Sequence, residues 1–309
     1  MRGGADSVSA ISSLAGLLHA GQFVVTAEIA PPASGDPQAL LSRALPLRGL
    51  ADAVNLTDGA QARASMSPLA AAAILKQNGI EPILQMSCRD RNRIALQSDL
   101  LGASALGIRN LLMLRGDDPS AGDQADAKPV FDLDTQALVA TAVGMRDRGE
   151  LPSGRALLDR PDFFIGATDA PLDPPPDWKP DKLKAKVEAG VQFVQTQFCM
   201  DVEVLRRYLQ RLADEGLGGR LSILVGIAPL ASAQSANWMR ENLFGVIIAH
   251  AIIRRMERAR DMKEEGRRIC VELMQELGTL KGLAGVHVMA PRNESALAPT
   301  LEEFRRLAR

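Results

Sequence analysis

Two carboxylates stand where apolar strands run out. Glu28 follows Phe23-Val24-Val25-Thr26-Ala27, and Asp117 follows Asn110-Leu111-Leu112-Met113-Leu114-Arg115-Gly116. A carboxylate at the end of a buried strand has a rigid base and a wet tip. If both strands belong to one parallel barrel, both tips enter the same bowl, where barrel enzymes keep their chemistry. The chain is an enzyme candidate on this ground alone.

The elements that would position them alternate. Short runs rich in Val, Ile and Leu, at 23–29, 52–57, 81–87, 110–115, 162–167, 192–196, 221–226 and 284–288, read as strands. Amphipathic stretches near 37–48, 67–78, 91–106, 134–148, 179–190, 201–215, 232–239 with 241–278, and 299–308 read as helices. Near-continuous apolar strands imply burial on both faces and hence a parallel sheet. Ser67-Pro68 and Asp201 mark helix starts, and Gly79, Gly107 and Gly190 mark stops. Eight strand–helix units predict an α/β chain folded as a single (β/α)8 TIM barrel over 1–309, with 1–20 as an N-terminal helical extension. A doubly wound sheet is the rival, but no Gly-x-Gly-x-x-Gly follows the first strand; Pro31-Pro32 does, and it cannot cradle a pyrophosphate on backbone N–H groups. The loops 115–131 and 168–180 are long and fall on the predicted bowl face, where long ordered loops are usually functional.

Composition narrows the function. The chain has 309 residues, 46% hydrophobic and 24% charged, ordinary globular material. A formal net charge of −1 and 4% aromatic residues argue against a nucleic-acid partner. No apolar run reaches the roughly 18 residues of a membrane span, and the N-terminus lacks the layout of a signal peptide. The three cysteines, Cys88, Cys199 and Cys270, are scattered, which fits a reducing cytoplasm and no metal knuckle. The histidines, His19, His250 and His287, are scattered too; His287 falls in the last strand, where it could face the bowl.

Five segments then resemble one family. They are Ala27-Glu28-Ile29-Ala30-Pro31-Pro32, Asn55-Leu56-Thr57-Asp58, Cys88-Arg89-Asp90-Arg91-Asn92, Leu114-Arg115-Gly116-Asp117-Asp118-Pro119 and Gln195-Thr196-Gln197-Phe198. Their order and spacing are similar to methylenetetrahydrofolate reductases, over about residues 20 to 290. The helix Arg91–Leu100 is closer to the short bacterial, acetogen-like branch. The resemblance implies a cytoplasmic flavoprotein that moves a hydride from NADH or NADPH, through FAD, to 5,10-methylenetetrahydrofolate, giving 5-methyltetrahydrofolate. It also implies site residues. Glu28 would donate the proton that opens the folate's five-membered ring, a task suited to a carboxyl whose pKa an apolar floor raises. Asp117 would lie near flavin and pterin and stabilise the cationic iminium; a turn aspartate is the plainer reading.

Gln197 would bind folate and nicotinamide through an amide that both donates and accepts. Gln195, two residues away, points the same way on an ideal strand. Phe198 would offer a stacking surface, or be core. FAD would be held by Thr57, Arg115, Gly116 and Asp117, with Phe131, Asp132, Ala167, Lys182 and Lys186. The two lysines share a helix face and could reach a diphosphate, or be a solvated basic face. Gln85 stands where many members have histidine, Ala185 where many have arginine, and Ala233 near where many have an aromatic. The reverse reaction is equally compatible. A non-catalytic or partner-dependent flavin-binding subunit of one-carbon metabolism is the alternative. The stretch 252–268 reads as an amphipathic outer helix, and a homo-oligomer is expected.

Overall fold

The structure, a computed structural model, describes residues 13–307. The apolar runs become parallel strands because both their faces are covered, by helices outside and by side chains inside. The strands are β1 (Val24–Ile29), β2 (Ala53–Leu56), β3 (Pro82–Ser87), β4 (Asn110–Leu114), β5 (Phe164–Asp169), β6 (Phe193–Met200), β7 (Ser222–Ile227), β8 (Ile247–Ile248) and β9 (Gly285–Val288). Pairings run from β1 to β7, then to β9, and β9 returns to β1. Eight strands thus close a (β/α)8 barrel, as the alternation predicts. The ninth, β8, lies outside the ring and extends the far end of β6 at Cys199 and Met200.

Helices follow in turn: α1 (Ser13–His19), α2 (Pro37–Ala44), α3 (Pro68–Gln77), α4 (Arg93–Ala105), α5 (Thr135–Val143), α6 (Asp181–Glu188), α7 (Val202–Asp214), α8 (Ala233–Asn242), α9 (His250–Glu257), α10 (Met262–Leu277) and α11 (Leu297–Leu307). Side chains of Asp36, Asn92, Asp134, Asp201, Ser232 and Asp261 cap helix N-termini by accepting backbone N–H bonds. The long helical stretch expected over 241–278 is broken. Gly245 turns left-handed (φ 73°), β8 follows, and the Asp261 cap starts α10 afresh.

Two apolar clusters divide the core. One lies between sheet and helices and includes Val25, Leu84, Met113, Ile165 and Val225. The other fills the N-terminal end of the barrel with Val24, Ala53, Ile83, Leu112, Phe164, Phe193 and Leu224. Leu14, Ala15 and Leu18 of α1 join it, so α1 closes that end. The N-terminal extension is therefore helical from residue 13 on, and its first twelve residues lie outside the described ones. The opposite end of the barrel is not closed in this way.

Candidate active site

Polar residues interrupt the apolar strands at one level of the bowl. Register sets Glu28 of β1 beside Asn55 of β2, and Thr26 beside His287 of β9. Glu28 Oε2 accepts from Asn55 Nδ2 at 3.0 Å and Gln85 Nε2 at 3.2 Å, and lies 3.5 Å from His287 Nε2. All these partners meet one oxygen. Among the described residues, Oε1 has no protein donor, and the Glu28 side chain is 23% exposed, so that oxygen is the one left open. Gln85 is fixed in turn, its Oε1 accepting the Asp58 N–H at 3.4 Å. The floor under Glu28 is thus polar where an apolar one was expected.

A second layer supports the first. His287 Nδ1 lies 2.9 Å from Thr26 Oγ1 and 3.3 Å from Gln195 Nε2. A carboxamide nitrogen only donates, so Nδ1 accepts and the ring proton sits on Nε2, pointing at Glu28. Gln195 is 2% exposed and engaged here, below the bowl. The strand register shifts between Gln195 and Phe198, so simple alternation does not carry Gln197 along with Gln195. Gln197 stays half-buried, its Oε1 accepting the Phe198 N–H at 3.0 Å. Phe198 itself is 3% exposed and packs in the outer apolar cluster, as does Ala167. Neither side chain offers surface to a ligand, because both are used as core.

The rim is built differently. Thr57, at the end of β2, is buried, with its N–H on Ile29 O at 3.3 Å. Beyond β4, Arg115 and Asp117 are exposed and Gly116 is partly so. The Arg115 guanidinium lies 4.4 Å over the Phe131 ring, a cation–π pair. Asp117 Oδ2 accepts the Gln61 N–H at 2.8 Å. Asp132 is turned away to Arg93, which meets it through Nε at 2.8 Å, NH2 at 2.7 Å and its backbone N–H at 2.9 Å. Those bonds hold the Asp132 carboxyl at about 2, well below the usual range.

Lys182 and Lys186 part company. Lys186 donates to Thr168 O at 2.5 Å and sits 3.7 Å from Asp169 at the end of β5. Lys182, one turn earlier on α6, is exposed. Burial, and then the Asp134 charge, pushes the Cys88 thiol up to about 11, and burial pushes Cys199 up to about 12, so neither is a ready thiolate at neutral pH. No group of three metal-ligating side chains occurs among the described residues, and no helix among them is long and apolar enough to cross a membrane.

Asn55, Gln85 and Gln61 are the residues that sequence reading did not place in the site. For the first two a signal existed, since carboxamides inside apolar strands must find partners.

A family model for methylenetetrahydrofolate reductase matches residues 13–150 and 159–304. The chain is 25% identical over 242 residues to a probable methylenetetrahydrofolate reductase (NADPH) of Caenorhabditis elegans, covering 76% of this chain and 34% of that protein. It is 24% identical over 237 residues to methylenetetrahydrofolate reductase 1 of Schizosaccharomyces pombe, covering 73% of this chain and 36% of that one. The chain thus spans about a third of the length of these relatives. Among solved structures, an uncharacterised Clostridium thermocellum protein that binds two copies of 5-methyl-5,6,7,8-tetrahydrofolic acid shares the fold, with a TM-score of 0.64 at 14% identity, covering 94% of this chain and 99% of that one. With the family model matched on both sides of a short gap at 151–158, the chain belongs to the methylenetetrahydrofolate reductase family.

Proposed function

We propose that this chain interconverts 5,10-methylenetetrahydrofolate and 5-methyltetrahydrofolate, with FAD as cofactor and NADH or NADPH as hydride source. The observation that supports it most is the one-sided holding of Glu28. Opening the folate's five-membered ring needs a proton at the leaving nitrogen. Glu28 Oε2 is tied to the wall by Asn55 and Gln85, so a proton on the carboxyl sits on Oε1, the oxygen a substrate can meet. His287 keeps the carboxylate oriented after the proton has left, through Nε2. Asp117, an exposed carboxylate at the rim, supplies negative charge for the iminium cation formed on ring opening. Gln197 offers its amide nitrogen, without an acceptor among the described residues, to a pterin edge.

The rim fits a flavin. Ser87 Oγ is buried with no hydrogen-bond partner among the described residues. Gly116 (φ 90°) packs so closely that a Cβ there would crowd Ser87 and Arg89. Arg115 forms no ion pair among the described residues and is free for a diphosphate. Thr57, Arg115, Gly116, Phe131 and Lys186 would hold the cofactor, with Lys182 and Asp132 at its margin. FAD held by these residues would supply the relay of hydride between nicotinamide and folate.

The test is the purified chain itself, loaded with FAD. It should show a flavin spectrum, bleach anaerobically with NADH or NADPH, and recover its colour on adding methylenetetrahydrofolate as 5-methyltetrahydrofolate appears. A chain that takes up no flavin, or whose reduced flavin ignores the folate, would overturn the proposal. Activity only with a second protein would make it a partner-dependent subunit.

A further inference from the structure

The loop between β2 and α3 takes a backbone that most residues avoid. Gly59, Gln61 and Ala62 are all left-handed, with φ of 59°, 57° and 52°. Two of them carry a Cβ. Such positions persist only where their surroundings over-determine them, and they gather at functional sites.

The surroundings here are specific. Gly59 O accepts from Arg89 NH1 at 3.1 Å. Arg89 is only 4% exposed and is pinned by Asp90, through Nε and NH2 at 2.7 Å each. Its own carbonyl accepts the Val130 N–H at 2.7 Å, so one buried arginine ties together the loops after β2, β3 and β4. Gly122, in the loop after β4, lies so near the turn that a Cβ on it would collide with the Ala62 carbonyl. The turn ends on the Gln61 N–H bonded to Asp117 Oδ2 at 2.8 Å. An exposed aspartate otherwise samples several rotamers. This bond selects one and leaves Oδ1 open.

We propose that the left-handed Gln61–Ala62 turn is a positioning device for Asp117, holding Oδ2 so that Oδ1 meets the ligand. Gln61 therefore acts through its backbone N–H, and its side chain is incidental. The inference rests on the functional reading for what Asp117 does, and on geometry alone for how it is held.

Gln61→Pro removes the N–H and cannot adopt the turn. Folate-dependent reoxidation of the reduced protein should slow on the order of tenfold, the worth of one hydrogen bond to a charged group. In an Asp117→Ala background the same substitution should add nothing, because the group it positions is gone. Equal losses in both backgrounds would show a merely structural turn and overturn the proposal. A second measurement does not depend on turnover. The Gln61 amide proton, followed by NMR, should move upfield in Asp117→Ala; an unmoved resonance would overturn the proposal. If wild type reduced no folate at all, the functional reading would fall, and the amide resonance would still decide the positioning.

Discussion

Glu28 and Asp117 are carboxylates in the same bowl, yet the barrel holds them by opposite means. Glu28 sits inside β1, and its partners Asn55, Gln85 and His287 come from three other strands. Its position is set by sheet register, hence by the whole barrel. Asp117 sits three residues past β4, and one backbone N–H from a strained loop holds it. Its position is set by three loops tied through Arg89. The difference separates two requirements of one site. The proton-donor role proposed for Glu28 asks it to meet the same atom every turnover, which a place in the wall provides. The charge proposed at Asp117 is carried on loops of lower local stability, so its place depends on the Gln61–Ala62 turn that holds it.

The sharpest way to break the comparison is to neutralise each carboxylate. Glu28→Gln should keep the fold and flavin reduction by nicotinamide, and should lower folate reduction by about 10²–10⁴-fold, the range of a lost general acid. Asp117→Asn should lower it less, roughly tenfold, and should raise the flavin's reduction potential by removing a nearby negative charge. Stopped-flow spectra of the two half-reactions separate these effects. Equal losses would erase the distinction between wall and rim, and normal turnover in Glu28→Gln would remove Glu28 from the chemistry.

The wall was legible in the sequence in part, and the rim hardly at all. Periodicity placed seven of the strand runs to within a few residues of their observed ends, and the barrel followed from their alternation. Glu28 stood out as a carboxylate on an apolar strand. Asn55 and Gln85 did not, because they belong to it only through register, a property of paired strands and not of any one segment; His287 could be set facing the bowl from its strand, but not against Glu28. The shift in β6 had the same effect on Gln195 and Gln197. At the rim, Gln61 and Ala62 carry no local sign of a left-handed turn, since neither is Gly, Asn or Asp. Asp132 was expected at the flavin only from the family resemblance; nothing local announced Arg93 as its partner.

A middle-sized effect separates global from local support. Asn55 is fully buried, so Asn55→Ala should lower the stability of the whole barrel by about 1–3 kcal/mol, the range for breaking a buried hydrogen bond. A shifted urea midpoint with unchanged slope would report it. Gly122→Ala should leave that midpoint nearly unmoved while pushing the Gln61–Ala62 turn off Asp117. Its signature is faster limited proteolysis within 59–63 or 115–131. A midpoint shift in Gly122→Ala as large as that in Asn55→Ala would show that the rim loops fold with the barrel.

The smallest effect lies at the far end of the same rim loop. Asp132 and Arg93 tie the loop after β4 to the start of α4, in the open, where salt and water weaken an ion pair. The Asp132 carboxyl is lowered to about 2 from an ordinary 3.8, first by the Arg93 side-chain bonds and then by its backbone N–H. A lowered carboxylate contributes stability above its unfolded value and loses it as pH falls through the folded one. The difference between wild type and Asp132→Asn should therefore be small and level above about pH 4, shrink between about pH 4 and 2, and vanish below. Arg93 stays charged throughout, so no second titration blurs the window. Paired thermal melts from pH 2 to 6, at low and high salt, measure it. A difference that instead grew toward acid would mean that the carboxyl is held protonated, and that Asp132 belongs with the wall and not the rim.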